Sequence, residues 1–166
     1  MVILRDGLQK TFEDLVSQSI DNQHLILSDF AEAHVIEICC DFAFSENIVP
    51  NNVFKLTDLL RQGLNAEGFI RREYLRVTGD LALFISGIFP DVLDSRRTAF
   101  NLADYIDIGR SAYEHINADV FSELSHKFPE VVDMLNFVSV QIDLSSKSFE
   151  KYIRRRGFID ARIANR

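Results

Sequence analysis

The chain has 166 residues and a formal net charge of −7, with 47% hydrophobic and 26% charged residues, seven Gly, three Pro, fourteen Phe and no Trp. That length buries roughly two thirds of the unfolded surface in one core without metal or disulfide staples, and the composition leaves little for disordered linkers. The opening MVILRDGLQK lacks a basic start followed by an apolar run, and no apolar stretch approaches the ~18 residues of a membrane span, so secretion and membrane insertion are not expected and a cytoplasmic location is.

Apolar residues recur with a period near 3.6, and the breaks between these runs are short and carry turn or capping chemistry. The expected fold is all-α, a single-domain bundle of about seven or eight helices over residues 1–166. A first helix near residues 7–20 groups Leu8, Phe12, Leu15 and Val16. A second, from Asp29 to Phe44, places Ala31, Val35, Ile38 and Phe42 on one face, with Asp29 as cap and Glu32 returning the bond. Cys39 and Cys40 are adjacent, so a bond between them would be strained, and they are expected to be reduced core thiols.

After Pro50 a third helix carries Val53, Leu56, Leu60 and Leu64, widened by Leu59. The fourth has the clearest stripe, Ile70, Tyr74, Val77, Leu81, Phe84 and Ile88, ended by Pro90, and its back face is also apolar, as in a buried central helix. Gly79 and Gly87 inside it cost about 1 kcal/mol each relative to Ala, which implies close helix contact or a bend.

A fifth helix opens at Asn101 with Asp104 in the capping-box position. Asn117 is the expected cap of a short sixth helix with Val120, Phe121 and Leu124. Pro129 suits the first turn of a seventh helix with the stripe Val131, Met134, Leu135, Val138 and Ile142. An eighth, basic helix is expected from Ser146 to Arg156, closed by Gly157.

Charge divides along the chain. Residues 145–166 hold seven Lys or Arg and two acids, whereas residues 1–144 hold eleven and 23, and no Lys or Arg falls between Lys10 and Lys55. The expectation is that residues 146–166 dock on an acidic surface of the same or a neighbouring chain. The body should repel nucleic acid and anionic lipid, whereas the tail can attract either; docking is the expected role of the tail, and nucleic-acid binding by Arg154, Arg155 and Arg156 is the weaker alternative.

Within the fifth helix, Gly109 interrupts the apolar stripe, with Tyr105 one turn before and Tyr113 one turn after. This notch takes either a packed neighbouring helix or a small ligand, with Arg110 at its edge as an anion anchor and Asp80 and the two tyrosines orienting the ligand. Arg110 can instead form local pairs with Asp107 or Glu114, or cross to Asp80 on the fourth helix. Asp80 can in turn join Arg76 and Glu73 in a ladder along one edge.

The stretch from Gly79 to Pro90, followed by Tyr105, Ile106, Asp107, Ile108, Gly109, Arg110, Ser111, Ala112 and Tyr113, resembles a group of small bacterial helical proteins with no assigned activity. The resemblance spans about residues 28–140, implies a bacterial cytosolic origin and transfers no functional residue.

His34, Glu37 and Asp41 share one face of the second helix and are all ligand-type residues for a metal, although an acidic solvated face has the same pattern. Glu123 and His126 form a single Glu-x-x-His, where a di-iron bundle needs two. There is no Gly-x-Ser-x-Gly elbow, phosphate-cradling glycine loop or zinc-spaced Cys/His cluster, so no cofactor and no catalytic residue is expected. The function that follows is a non-enzymatic helical interaction or regulatory protein, a homodimer or a binder of another protein. The alternative is an anion-binding protein or enzyme with a pocket between the helices at 65–89 and 101–117.

Overall fold

Residues 2–44, 56–90 and 101–141 are described by the structure, a computed structural model of the chain. They form seven helices and no strand: α1 (Val2–Gln23), α2 (Asp29–Phe44), α3 (Leu56–Asn65), α4 (Gly68–Ile88), α5 (Leu102–Glu114), α6 (Asp119–His126) and α7 (Phe128–Gln141). The expected helix at 146–156 and the docking of residues 146–166 lie outside the described residues, as do Val53 and Ile142.

Helix α4 is the axis of the bundle. From Thr78 to Ile88 every residue is buried, because α2, α3, α5 and α7 all pack around it. Side-chain contacts fix the directions. His34 meets Asp80 and Phe42 stacks on Phe84 at 5.3 Å, so α2 runs parallel to α4. Tyr113 packs on Gly79 and Gly109 on Ala82, so α5 runs antiparallel to it. Leu135 packs on Gly87 and Ser139 reaches Ile88, so α7 is parallel. One hydrophobic cluster joins Phe12 and Val16 of α1, Val35 and Ile38 of α2, Leu81 and Phe84 of α4, and Leu135 and Val138 of α7. Each such side chain contributes about 1.5–3 kcal/mol on burial.

The C-terminal carbonyls of α4, which have no partner within their own helix, are taken by α7. The Ser139 hydroxyl donates to Ile88 O at 2.6 Å, and the Asn136 amide, its nitrogen turned toward α4, donates to Gly87 O and Ser86 O at 2.6 and 3.1 Å. At the same end of the core, where α5 begins, the capping box Asn101–Asp104 is present in both directions at 2.9 Å.

Two caps differ from the sequence expectation. Ser28, not Asp29, caps α2, its hydroxyl accepting from Ala31 N at 3.2 Å, while Glu32 turns to accept from Ser17 of α1 at 2.8 Å. The cap residue of α6 is Ala118 rather than Asn117, and no side chain completes it. The α4 stripe also departs from expectation at its start. Ile70 is 61% exposed and its neighbour Phe69 76%, because the first turn of α4 extends past the helices that cover the rest.

Candidate functional site

Asp80 is the polar centre of the bundle, 2% exposed in the middle of α4. Its Oδ1 accepts from the Tyr113 hydroxyl of α5 at 2.6 Å and lies 2.9 Å from His34 Nε2 of α2. Its Oδ2 accepts from Arg76 at 3.0 Å, and Arg76 also grips Glu73 at 2.9 Å. A buried carboxylate needs such donors to offset its lost hydration, and here three side chains on three helices supply them. The bond from Arg76 holds Glu73 below the usual carboxylate range. Burial, followed by the facing Asp80 charge, pushes the Tyr113 phenol well above its ordinary value, so the hydroxyl stays protonated and donating. The ring edges are closed by Phe121, 5.2 Å from His34 and 5.3 Å from Tyr113.

Asp80 therefore joins helices, as expected, but through Tyr113 and His34 rather than Arg110, and the Arg76–Glu73 ladder is present as well. Arg110 is exposed, and among the described residues no ion pair is recorded for its side chain. Its carbonyl accepts from the Ser125 hydroxyl at 3.0 Å. The space over Gly109 is filled by the Phe128 ring, with Ala82 of α4 beneath, so a methyl group there would collide with the ring. Tyr113 occupies the equivalent space over Gly79, and Tyr105 is buried, its phenol raised by that burial. Of the residues singled out around the notch, Asp80 and Tyr113 are brought together, and aromatic rings fill the gaps over Gly79 and Gly109.

His34 faces Asp80, whereas Glu37 is exposed on the outer side of α2. No group of three His, Cys, Asp or Glu that could hold a metal occurs among the described residues. Both cysteines are buried and unbridged. Burial, with Cys40 adding to it, pushes the Cys39 thiol far up, which is the opposite of what a nucleophilic thiolate needs.

Glu123 has a role that its Glu-x-x-His spacing does not reveal. It accepts from both the backbone N (2.8 Å) and hydroxyl (2.6 Å) of Ser28, and Lys127, one turn on, donates to Ile26 O. These bonds clamp the α1–α2 connection onto α6. Only the acid and the Ser preceding a helix were visible in sequence, and nothing there pairs residues 95 apart.

Surface grooves remain among the described residues, one of them, about 470 Å³, at Leu25, Ile26, Lys127 and Asp133. Two others bear on function. One, about 350 Å³, lies along α3 and α4 between Leu59, Gln62, Phe69, Ile70, Tyr74 and Val77. The other, about 620 Å³, lies between α1 and α2 and carries Glu13, Asp29, Glu32, Glu37 and Asp41 over Ala33, Ile36 and Cys40. No family model, curated protein or solved structure matches the chain. No helix among the described residues is long and apolar enough to cross a membrane.

Of these grooves, the α3–α4 one is lined by two large exposed apolar side chains, where the groove at Ile26 has one. Phe69 and Ile70 form part of its lining at 76% and 61% exposure, with Leu64 at 38% on the adjoining end of α3. Hydrophobic patterning had assigned Leu64 and Ile70 to the core stripes. Only the end of the covering helices, a tertiary fact, leaves them outside.

Proposed function

We propose that this chain is a non-enzymatic, cytoplasmic helical interaction protein that pairs with a second copy of itself through the α3–α4 face. The observation that supports this reading is the exposed Phe69–Ile70 pair in the wall of a largely apolar groove. Exposed side chains that rise from the wall of a groove put a protrusion and a depression on one face, which is self-complementary. A two-fold axis near Phe69 places each copy's ring and isoleucine in the other's groove, which is the isologous arrangement of most homodimers.

Charge around the patch favours a second copy over a strongly basic or acidic partner. The rim carries both signs, with Arg61 paired to Asp58, Arg71 bound to Leu64 O at 2.7 Å, and Glu73 held by Arg76. A chain of net charge −7 would otherwise repel its copy, and this face avoids a like-charge encounter.

Light scattering on the full chain tests the reading. The wild type is expected at twice the 19.0 kDa chain mass and the double variant F69E/I70E at the single-chain mass, with unchanged helical circular dichroism. A wild type that stays monomeric at high micromolar concentration overturns it.

A further inference from the structure

The acidic groove between α1 and α2 differs from the self-association face in position and chemistry. Five carboxylates line its walls, Glu13 from α1 and Asp29, Glu32, Glu37 and Asp41 from α2, and none of its lining residues is Lys or Arg. The floor is apolar, formed by Ala33, Ile36 and Cys40. A groove with a greasy floor and anionic shoulders suits long cationic side chains, whose methylene stems cover the floor while their heads reach the carboxylates.

The chain itself carries such a stripe. Lys147, Lys151, Arg154 and Arg155 recur at spacings of four, three and one, which on a helix is a single face. The chain also leaves the described body close to the groove. The Gln23 amide donates to Asp133 O at 3.4 Å, and α7 runs antiparallel to α1, so Gln141, eight residues on from Asp133, stands level with the middle of α1. The groove occupies that same part of α1, from Gln9 to Ser17. Five residues, 142–146, separate Gln141 from Lys147 and span about 17 Å when extended. So short a tether holds the segment at millimolar effective concentration beside the groove, which favours the same chain over a neighbour.

We infer that the basic segment 147–156 binds intramolecularly in the α1–α2 groove, as a strap that neutralises the acidic hairpin. This extends the interaction-protein reading but uses a different surface, so the two fail separately.

The test uses the full chain in three forms: wild type, the tail variant R154E/R155E and the groove variant E13K/E37K, both of whose replaced glutamates are exposed. Amide hydrogen exchange of residues 147–156 is expected to quicken at least tenfold in either variant and in 1 M salt, while α4 and α7 keep their protection. Zero-length carbodiimide cross-linking of a mixture of isotopically heavy and light wild-type chains is expected to join Lys147 or Lys151 to Glu13, Glu32, Glu37 or Asp41 within one chain. Equal exchange in all three forms overturns the inference. So do cross-links of which about half are heavy–light pairs, the random-pairing share that assigns the strap to a neighbouring copy, and cross-links scattered over acids elsewhere. The tail variant leaves the body untouched, so misfolding of the groove variant does not remove the test. Neither readout depends on Phe69 or Ile70, and a monomeric chain still shows the strap.

Discussion

The hydroxyl of Tyr113 donates to Asp80 Oδ1 at 2.6 Å across the α4–α5 contact, and both groups are buried. Removing the donor with Y113F leaves Asp80 with His34 and Arg76, and is expected to cost about 1.5–2 kcal/mol, the low end for one lost bond to a charged group because those two partners remain. Removing the acceptor with D80A strands three donors at once. The expected loss is about 3 kcal/mol, the lower end for a broken buried pair because Arg76 remains partly solvated. Urea denaturation of the two variants should rank them in that order.

Alkaline pH probes the same core. Tyr113 and Tyr105 have folded-state values raised above the ordinary 10.0, and Cys39 is raised above 9.0, in each case chiefly by burial. A raised value means that folding favours the protonated form. The stability these groups contribute is complete below the unfolded value and is lost as pH rises through the window between unfolded and folded values. The urea midpoint is therefore expected to hold steady up to about pH 9 and fall above it, with a shallower fall above pH 10 in Y113F than in wild type.

The glycine positions separate packing from helix propensity. Gly109→Ala and Gly79→Ala each gain up to about 1 kcal/mol of propensity but drive a methyl group into Phe128 or Tyr113, so a net loss of about 1–3 kcal/mol is expected. Gly7→Ala, on α1 with nothing within 4 Å of the added carbon, is expected to stabilise by about 0.5–1 kcal/mol. If Phe128 is what fills the Gly109 gap, Gly109→Ala should be far less costly in a Phe128→Leu background. Thermal melts of the double-mutant cycle measure that coupling.

The clamp on the α1–α2 connection gives a further outcome. Glu123→Ala leaves the Ser28 N–H and hydroxyl without their acceptor and Lys127 without its ion-pair partner, so a loss of about 1–2 kcal/mol is expected. Native-state hydrogen exchange should show the loss as faster opening of residues 24–31, with α4 unaffected.

How far these features were legible in the sequence depends on the range of the interaction. The Asn101–Asp104 box, the Ala31–Val35–Ile38–Phe42 face and the burial of α4 follow from periodicity and three-residue spacing, and all are present. Gly79, Gly87 and Gly109 were recognisable as points of close approach, because glycine on an apolar helical face has few other uses. Their occupants, Tyr113, Leu135 and Phe128, were not, since they come from other helices at registers that only the assembled bundle sets. Asp80 could be identified as an inter-helix acid but not matched to its partner. Arg110 and Tyr113 lie three residues apart on α5, about 60° apart around the helix, and the turn of α5 about its axis decides which one faces α4. The exposed start of α4 was hidden for the opposite reason, because Ile70 fits the core stripe and only the length of its neighbours leaves it uncovered.

The self-association face is tested most directly by cysteine pairing between copies. A Gln62→Cys chain mixed with a Phe69→Cys chain brings a groove residue of one copy against the protruding position of the other, while native Cys39 and Cys40 stay buried. Under mild oxidation the account predicts a covalent dimer in that mixture, and none when Gln18→Cys, exposed on α1, replaces the groove cysteine. Absence of the Gln62–Phe69 dimer, or an equal yield with the α1 control, would contradict it.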